Sequence, residues 1–213
     1  MPALLALVDA VVSDLGDEEI VTQIHGRAAV LRQNAGDVTD SVARAFALVQ
    51  ATSEQLGLSL ADAFQLIGER AVPLLAEEMA LQMRQHGTAH SFCLHLNEIV
   101  QSELQAMVPT VQLPFVDVEM LDISTLRLSF IGDDNALALA RGLLGGVARS
   151  YGQSARMSEV PDSMTSPTAR ASGRQYVDMT FIADTRAESP LKRPAPDDRR
   201  RGPLAVALKG LFR

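Results

Sequence analysis

The chain has 213 residues, enough for one well-cored domain and a tail. Apolar residues make up 47% of it, yet there is no Trp and only 7 Phe and 2 Tyr, so its core must be built from Leu, Val, Ala, Ile and Met. A net charge of −7 disfavours nucleic acid as a partner, and the single Cys93 excludes an internal disulfide or a Cys-cluster metal site, as suits a reducing cytosol.

Met1–Val12 carries Asp9 and no basic n-region, so it reads as an opening helix (Ala3–Asp14) and not as a secretion signal. No apolar run is long enough for a bilayer. The expectation is a soluble, cytoplasmic chain. Further helices are expected over Asp17–Val30, Val38–Gln55 and Ser59–Gln85, with Thr39 and Ser59 as N-caps and a kink or break near Pro73. Another is expected over Phe92–Met107, where Phe92, Leu96, Ile99, Val100 and Leu104 form an apolar stripe interrupted by Glu103. Cys93 on it reads as a small buried apolar residue.

After Pro109 and Leu113-Pro114-Phe115 the period changes to two. Phe115–Leu121 and Thr125–Ile131 alternate about Asp122-Ile123-Ser124, the pattern of a β-hairpin. A helix is expected over Asn135–Tyr151, then strands over Ser154–Val160 and Tyr176–Asp184, separated by the polar loop Pro161–Gly173. The fold class is therefore α+β, an N-terminal helical part followed by a roughly four-stranded antiparallel sheet packed on helices. Gly132-Asp133-Asp134-Asn135 lacks EF-hand spacing and reads as a turn with an N-cap. Gly142-Leu143-Leu144-Gly145-Gly146 lacks the Lys of a P-loop and is expected to serve close helix–sheet packing.

Four segments together resemble the haem nitric-oxide/oxygen-binding (H-NOX) domain, the sensory half of soluble guanylate cyclase and of bacterial relatives. They are Met1–Ile20, Leu56–Leu75, Phe92–Gln101 and Leu126–Gly146, and the resemblance extends over roughly Met1–Asp184. It implies a gas-sensing domain, with haem as cofactor and a histidine kinase or cyclic-nucleotide enzyme as partner in trans. Counted from Phe92, the family's axial histidine position falls on Val100; counted back from Pro109 and Pro114, it falls on Gln101. The family's Tyr-x-Ser-x-Arg motif, which holds the propionates, falls on Phe130, Gly132 and Asp134. Leu96 and Pro114 complete the positions that the resemblance places around the cofactor.

The chemistry has changed at these positions. Valine has no lone pair for iron, glutamine is a poor ligand, and a carboxylate in place of arginine repels a propionate. The expectation is that the chain does not hold haem in the family's manner. His95 should turn away from the pocket, and His86 and His90 share a helical face only if the helix runs through Gly87. His25 reads as a surface or boundary residue. No Ser/His/Asp or Cys/His arrangement stands out, so no enzyme is expected. The reading is a sensory or regulatory domain, with a haem-free interaction module or a binder of another apolar molecule as the alternative.

The charge also divides the chain. Residues 190–213 carry seven basic and two acidic side chains, a tail of +5 on a body of −12. The organisation expected is a domain over 1–186, a Pro- and charge-rich linker over 187–202 and a short basic amphipathic tail over 203–213. Such a tail suits contact with an acidic surface.

Overall fold

The computed structural model describes residues 2–34, 41–75, 80–95, 117–131, 133–161 and 174–183. Four helices come first: α1 (Pro2–Ser13), α2 (Glu18–Asn34), α3 (Ser41–Leu56) and α4 (Leu60–Leu75). The second and fourth have side-chain caps. Asp17 Oδ1 accepts the Glu19 amide at 3.0 Å, and Ser59 Oγ accepts the Asp62 amide at 3.0 Å while donating to Asp62 Oδ2 at 2.6 Å. α2 extends four residues beyond the expected Val30. The expected cap Thr39 lies outside the described residues.

The long helix expected over Ser59–Gln85 is two described helices, α4 and the short α5 (Ala80–Gln85). Pro73 does not end α4; the helix runs two residues past it. The missing Pro73 amide instead leaves the Glu69 carbonyl without its helical donor.

The next helix also differs from expectation. α6 (Ala89–Leu94) begins three residues before Phe92, because Thr88 Oγ1 caps it by accepting the Ser91 amide at 3.1 Å. It closes at Leu94, with His95 in a non-helical cap conformation. Residues 96–107 of the expected helix lie outside the described residues.

The sheet has four strands: β1 (Asp117–Met120), β2 (Thr125–Ile131), β3 (Gln153–Glu159) and β4 (Arg174–Ala183). All pairings are antiparallel, in the order β1-β2-β4-β3. The fold is thus α+β, as the period change implied. Leu126 and Leu128 of β2 lie beside Met179 and Val177 of β4, and Phe181 pairs with Ala155 of β3, which gives one buried face. On the other face Arg127 clasps Asp178 in a two-bonded pair at 2.8 and 2.9 Å.

Between β2 and β3 lies α7 (Asp134–Ser150), whose N-cap Asp133 accepts the Ala136 amide at 2.8 Å. Gly152, at φ +69°, turns the chain from α7 into β3 within two residues. The α7 glycines do not face the sheet, as the sequence suggested. They face α4. A Cβ on Gly68 would lie 2.5 Å from the Leu139 carbonyl oxygen, one on Gly146 would lie 2.9 Å from the Glu69 carbonyl oxygen, and one on Gly142 would overlap the Gln65 backbone. Two helices approach this closely only where side chains are missing.

The buried side chains form two main clusters. One is helical, around Val8, Val11, Val12, Ile24, Val49 and Ile67. The other joins the sheet to α6 and α7, around Phe92, Cys93, Leu126, Leu128, Leu144 and Met179. The contact between α4 and α7 joins the two halves.

Candidate functional site

Thr88 sets the start of α6, and the register that follows sends Ala89, Phe92 and Cys93 into the sheet cluster. Ala89 donates its amide to Gln153 Oε1 at 3.3 Å, which ties the helix start to the start of β3. The Tyr151 hydroxyl, at the end of α7, donates to the Met83 carbonyl at 2.5 Å, and its ring lies 6.2 Å from that of Phe92. α5, α6 and α7 therefore meet around one aromatic cluster.

Three histidines surround this helix. The chain bends at residues 86–88, so His86 and His90 do not share a helical face through Gly87. His86 instead stacks on His95, with ring centroids 4.8 Å apart and planes 30° apart. His95 Nδ1 lies 2.8 Å from the Ser91 carbonyl, which can only accept. Nδ1 is therefore the donor of this bond. His86 Nδ1 lies 3.3 Å from Ser91 Oγ, and the His90 ring is edge-on to Phe181 at 5.8 Å. The His90 Nε2 atom is buried and has no hydrogen-bond partner among the described residues. Among the described residues no group of three or more His, Cys, Asp or Glu side chains is placed to hold a metal ion.

Two other potential iron ligands are kept protonated. Burial pushes the Cys93 thiol up to about 12, so it is not a thiolate at neutral pH. Burial first, and the neighbouring Cys93 second, also raise the Tyr151 phenol. Its hydroxyl donates to the Met83 carbonyl.

Several expected site positions fall elsewhere. Leu96, Val100, Gln101, Pro114 and Gly132 lie outside the described residues. Phe130 lies on β2 beside Gln175 of β4, and its side chain is outside the described set. Asp134 is exposed in the first turn of α7, next to the cap Asp133. The N-cap expected in that stretch is Asp133.

A family model described as haem-NO-binding matches residues 3–159, from α1 through β3. The chain belongs to the haem-NO-binding family. Solved structures with the same fold include an H-NOX protein from S. oneidensis in its Fe(II)NO state, 14% identical, with a TM-score of 0.63 over 82% of this chain and 97% of that one. The unliganded Fe(II) H-NOX protein from K. algicida is 12% identical, with a TM-score of 0.64 over 88% and 99%. An oxygen-binding H-NOX domain related to soluble guanylate cyclases is also 12% identical, with a TM-score of 0.62 over 92% and 100%. No curated protein sequence matches this chain. No helix among the described residues of this H-NOX chain is long and apolar enough to cross a membrane.

Sequence reasoning missed a cavity. A half-open cavity of about 340 Å³ lies between α1, α2 and α3, lined by Leu5, Ala6, Asp9, His25, Ala28, Arg32, Arg44 and Leu48. His25 is placed here, with Nδ1 3.8 Å from Asp9 Oδ1. The signal was present as helical spacing: Leu5 and Asp9, His25 and Arg32, and Arg44 and Leu48 each share a helical face.

Proposed function

We propose that this chain is a sensory or regulatory domain that keeps the H-NOX scaffold without the family's way of holding haem, and that it acts on a signalling protein in trans. The residue chemistry supports this reading: counted by the family's motifs, the axial histidine position falls on Val100 or Gln101 and the propionate positions on Phe130, Gly132 and Asp134. The protonated Cys93 thiol and the engaged Tyr151 phenol fit the same reading, because neither offers the anionic donor that would replace a histidine. A porphyrin iron held in the family's manner does not fit these residues. The reading takes the tight α4–α7 contact, closed over Gly68, Gly142 and Gly146, as the path of the signal. The partner class that the family implies is a histidine kinase or a cyclic-nucleotide enzyme, and the chain itself has no catalytic role in this proposal.

Incubation of the purified protein with haemin tests the proposal. The expected result is no Soret band and no rise in melting temperature, whereas Val100→His or Gln101→His restores absorbance if the cleft is still haem-sized. A stoichiometric Soret band in the unaltered protein would overturn the reading. The replacement of polar groups by Val100 and Phe130 also favours a second reading, a domain that binds another apolar molecule or only a partner. Native mass spectrometry of protein from its own host separates these two by whether a small-molecule mass is retained.

A further inference from the structure

The cavity between α1, α2 and α3 is on the helical half, and none of its lining residues belongs to α6, α7 or the sheet. Its floor is apolar: Leu5 and Ala6 come from α1, Ala28 from α2 and Leu48 from α3. The space exists because Ala6 and Ala28 are small where three helices converge, with Ala28 itself fully covered at 2% exposure. At about 340 Å³ it falls within the roughly 300–1,000 Å³ typical of small-molecule sites.

The rim has the opposite character. Arg32 and Arg44 reach it from α2 and α3, and neither makes an ion pair with any described residue. Asp9 is the one carboxylate among the described lining residues, and it faces His25. Arg27, five residues before Arg32 on the same helix, is paired with Glu54. Two guanidiniums without an ion pair among the described residues, at the mouth of an apolar pocket, favour an anionic group there.

We propose that this cavity binds a small amphipathic carboxylate, its apolar body against Leu5, Ala6, Ala28 and Leu48 and its head group on Arg32 and Arg44. Guanidinium suits such a head group because its planar donors bind a carboxylate with two parallel bonds. The binding is independent of haem, since the site shares no residue with the expected haem cleft. It would make this domain responsive to a metabolite even without a bound gas.

Titration of the full chain with octanoate, octanol, octylamine and acetate, followed by calorimetry and by amide chemical shifts of α1–α3, tests the proposal. Octanoate should bind saturably at one site, at least 10-fold more tightly than octanol or acetate, and octylamine should not bind. Arg32→Gln with Arg44→Gln should weaken octanoate at least 10-fold while leaving octanol binding unchanged. These arginines are at the rim, so the double variant should keep the fold, which its circular dichroism checks. Ala28→Leu, which fills the floor, should abolish binding of octanoate and octanol alike. Equal affinity for octanoate and octanol, equal affinity for octanoate and acetate, or octanoate binding that survives the double arginine variant would each overturn the proposal.

Discussion

In the helical half, the side chains fully out of water are mostly aliphatic: Val11, Val12, Val49, Ile24 and Ile67, interleaved with alanines such as Ala51 and Ala63. In the sheet half they are Phe92, Met83, Leu126, Leu128 and Met179, with the ionisable Cys93 buried among them and Tyr151 partly buried beside it. The difference lies in what each packing style leaves behind. Short aliphatic side chains on three convergent helices leave a gap that a ligand can fill, recognised by shape and by charge at its rim. Long flexible Met and planar Phe pack against the sheet around the enclosed Cys93. Among the described residues, the helical half holds an arginine-rimmed cavity and the sheet half a buried thiol.

The sharpest way to break this comparison is to separate the two halves at their junction. Gly142→Ala places a Cβ on the Gln65 backbone, where neither helix can yield without moving a whole half of the molecule. The expected loss is about 3 kcal/mol or more, at or above the upper end for overpacking. Gly145→Ala, on the same helix, meets only the flexible Glu69 side chain at 3.5 Å and should be close to neutral. Urea denaturation compares the two. Similar midpoints for both would show that the α4–α7 contact is not the tight joint described here.

The second test sharpens the contrast in buried chemistry. In the folded chain Cys93 keeps its proton up to about 12, whereas an unfolded cysteine loses it near about 8.5. The unfolded state therefore binds fewer protons between these values, and stability falls as pH rises through that window. Below about pH 8 this group contributes no pH dependence. The raised Tyr151 phenol adds a decline of the same sign at higher pH. Cys93→Ala should flatten the fall in unfolding free energy between pH 8.5 and 10.5, roughly the lower part of the window, and the native thiol should resist iodoacetamide at pH 8 until the protein is denatured. Equal alkaline losses in the two proteins would show that the thiol does not hold its proton in the fold.

These two regions were not equally legible in the sequence. β2 was readable residue for residue, because strict alternation from Leu126 to Phe130 has one sheet reading. The cap roles of Ser59 and Asp133 were readable for a similarly local reason: a short polar side chain before an apolar helix has few other uses. Pro73 was less informative, since a proline inside a helix removes one amide and crowds the preceding turn without having to end the helix. The glycine face of α7 was recognised as a packing surface but assigned to the wrong neighbour, because spacing shows that a face is bare and not what covers it. For the same reason the arginine-rimmed cavity could not be seen. It depends on α1, α2 and α3 meeting in space, and each contributes only two or three residues that look ordinary on their own helix. The axial and propionate positions could be read because a family pattern supplied the places to look.

The smallest expected effect concerns α2, which forms one wall of the cavity. Of its 17 residues only Ile24 and Ala28 are buried, so packing anchors it less firmly than α3 and intrinsic helix preference counts for more. Gly26 lies in its interior on an exposed face, and an added Cβ there would have nothing within 4 Å. Its helical φ is one that alanine also adopts, so the glycine only adds freedom to the unfolded chain. Gly26→Ala should raise stability by about 0.5–1 kcal/mol, seen as a higher urea midpoint at unchanged slope. The sign is opposite to that at Gly142, although the substitution is identical, because one glycine faces solvent and the other a neighbouring backbone. A loss at Gly26 would mean that the α2 wall is held in a geometry that alanine cannot share. The comparison between an aliphatic helical half and a tightly joined sheet half would then have to be redrawn at the cavity.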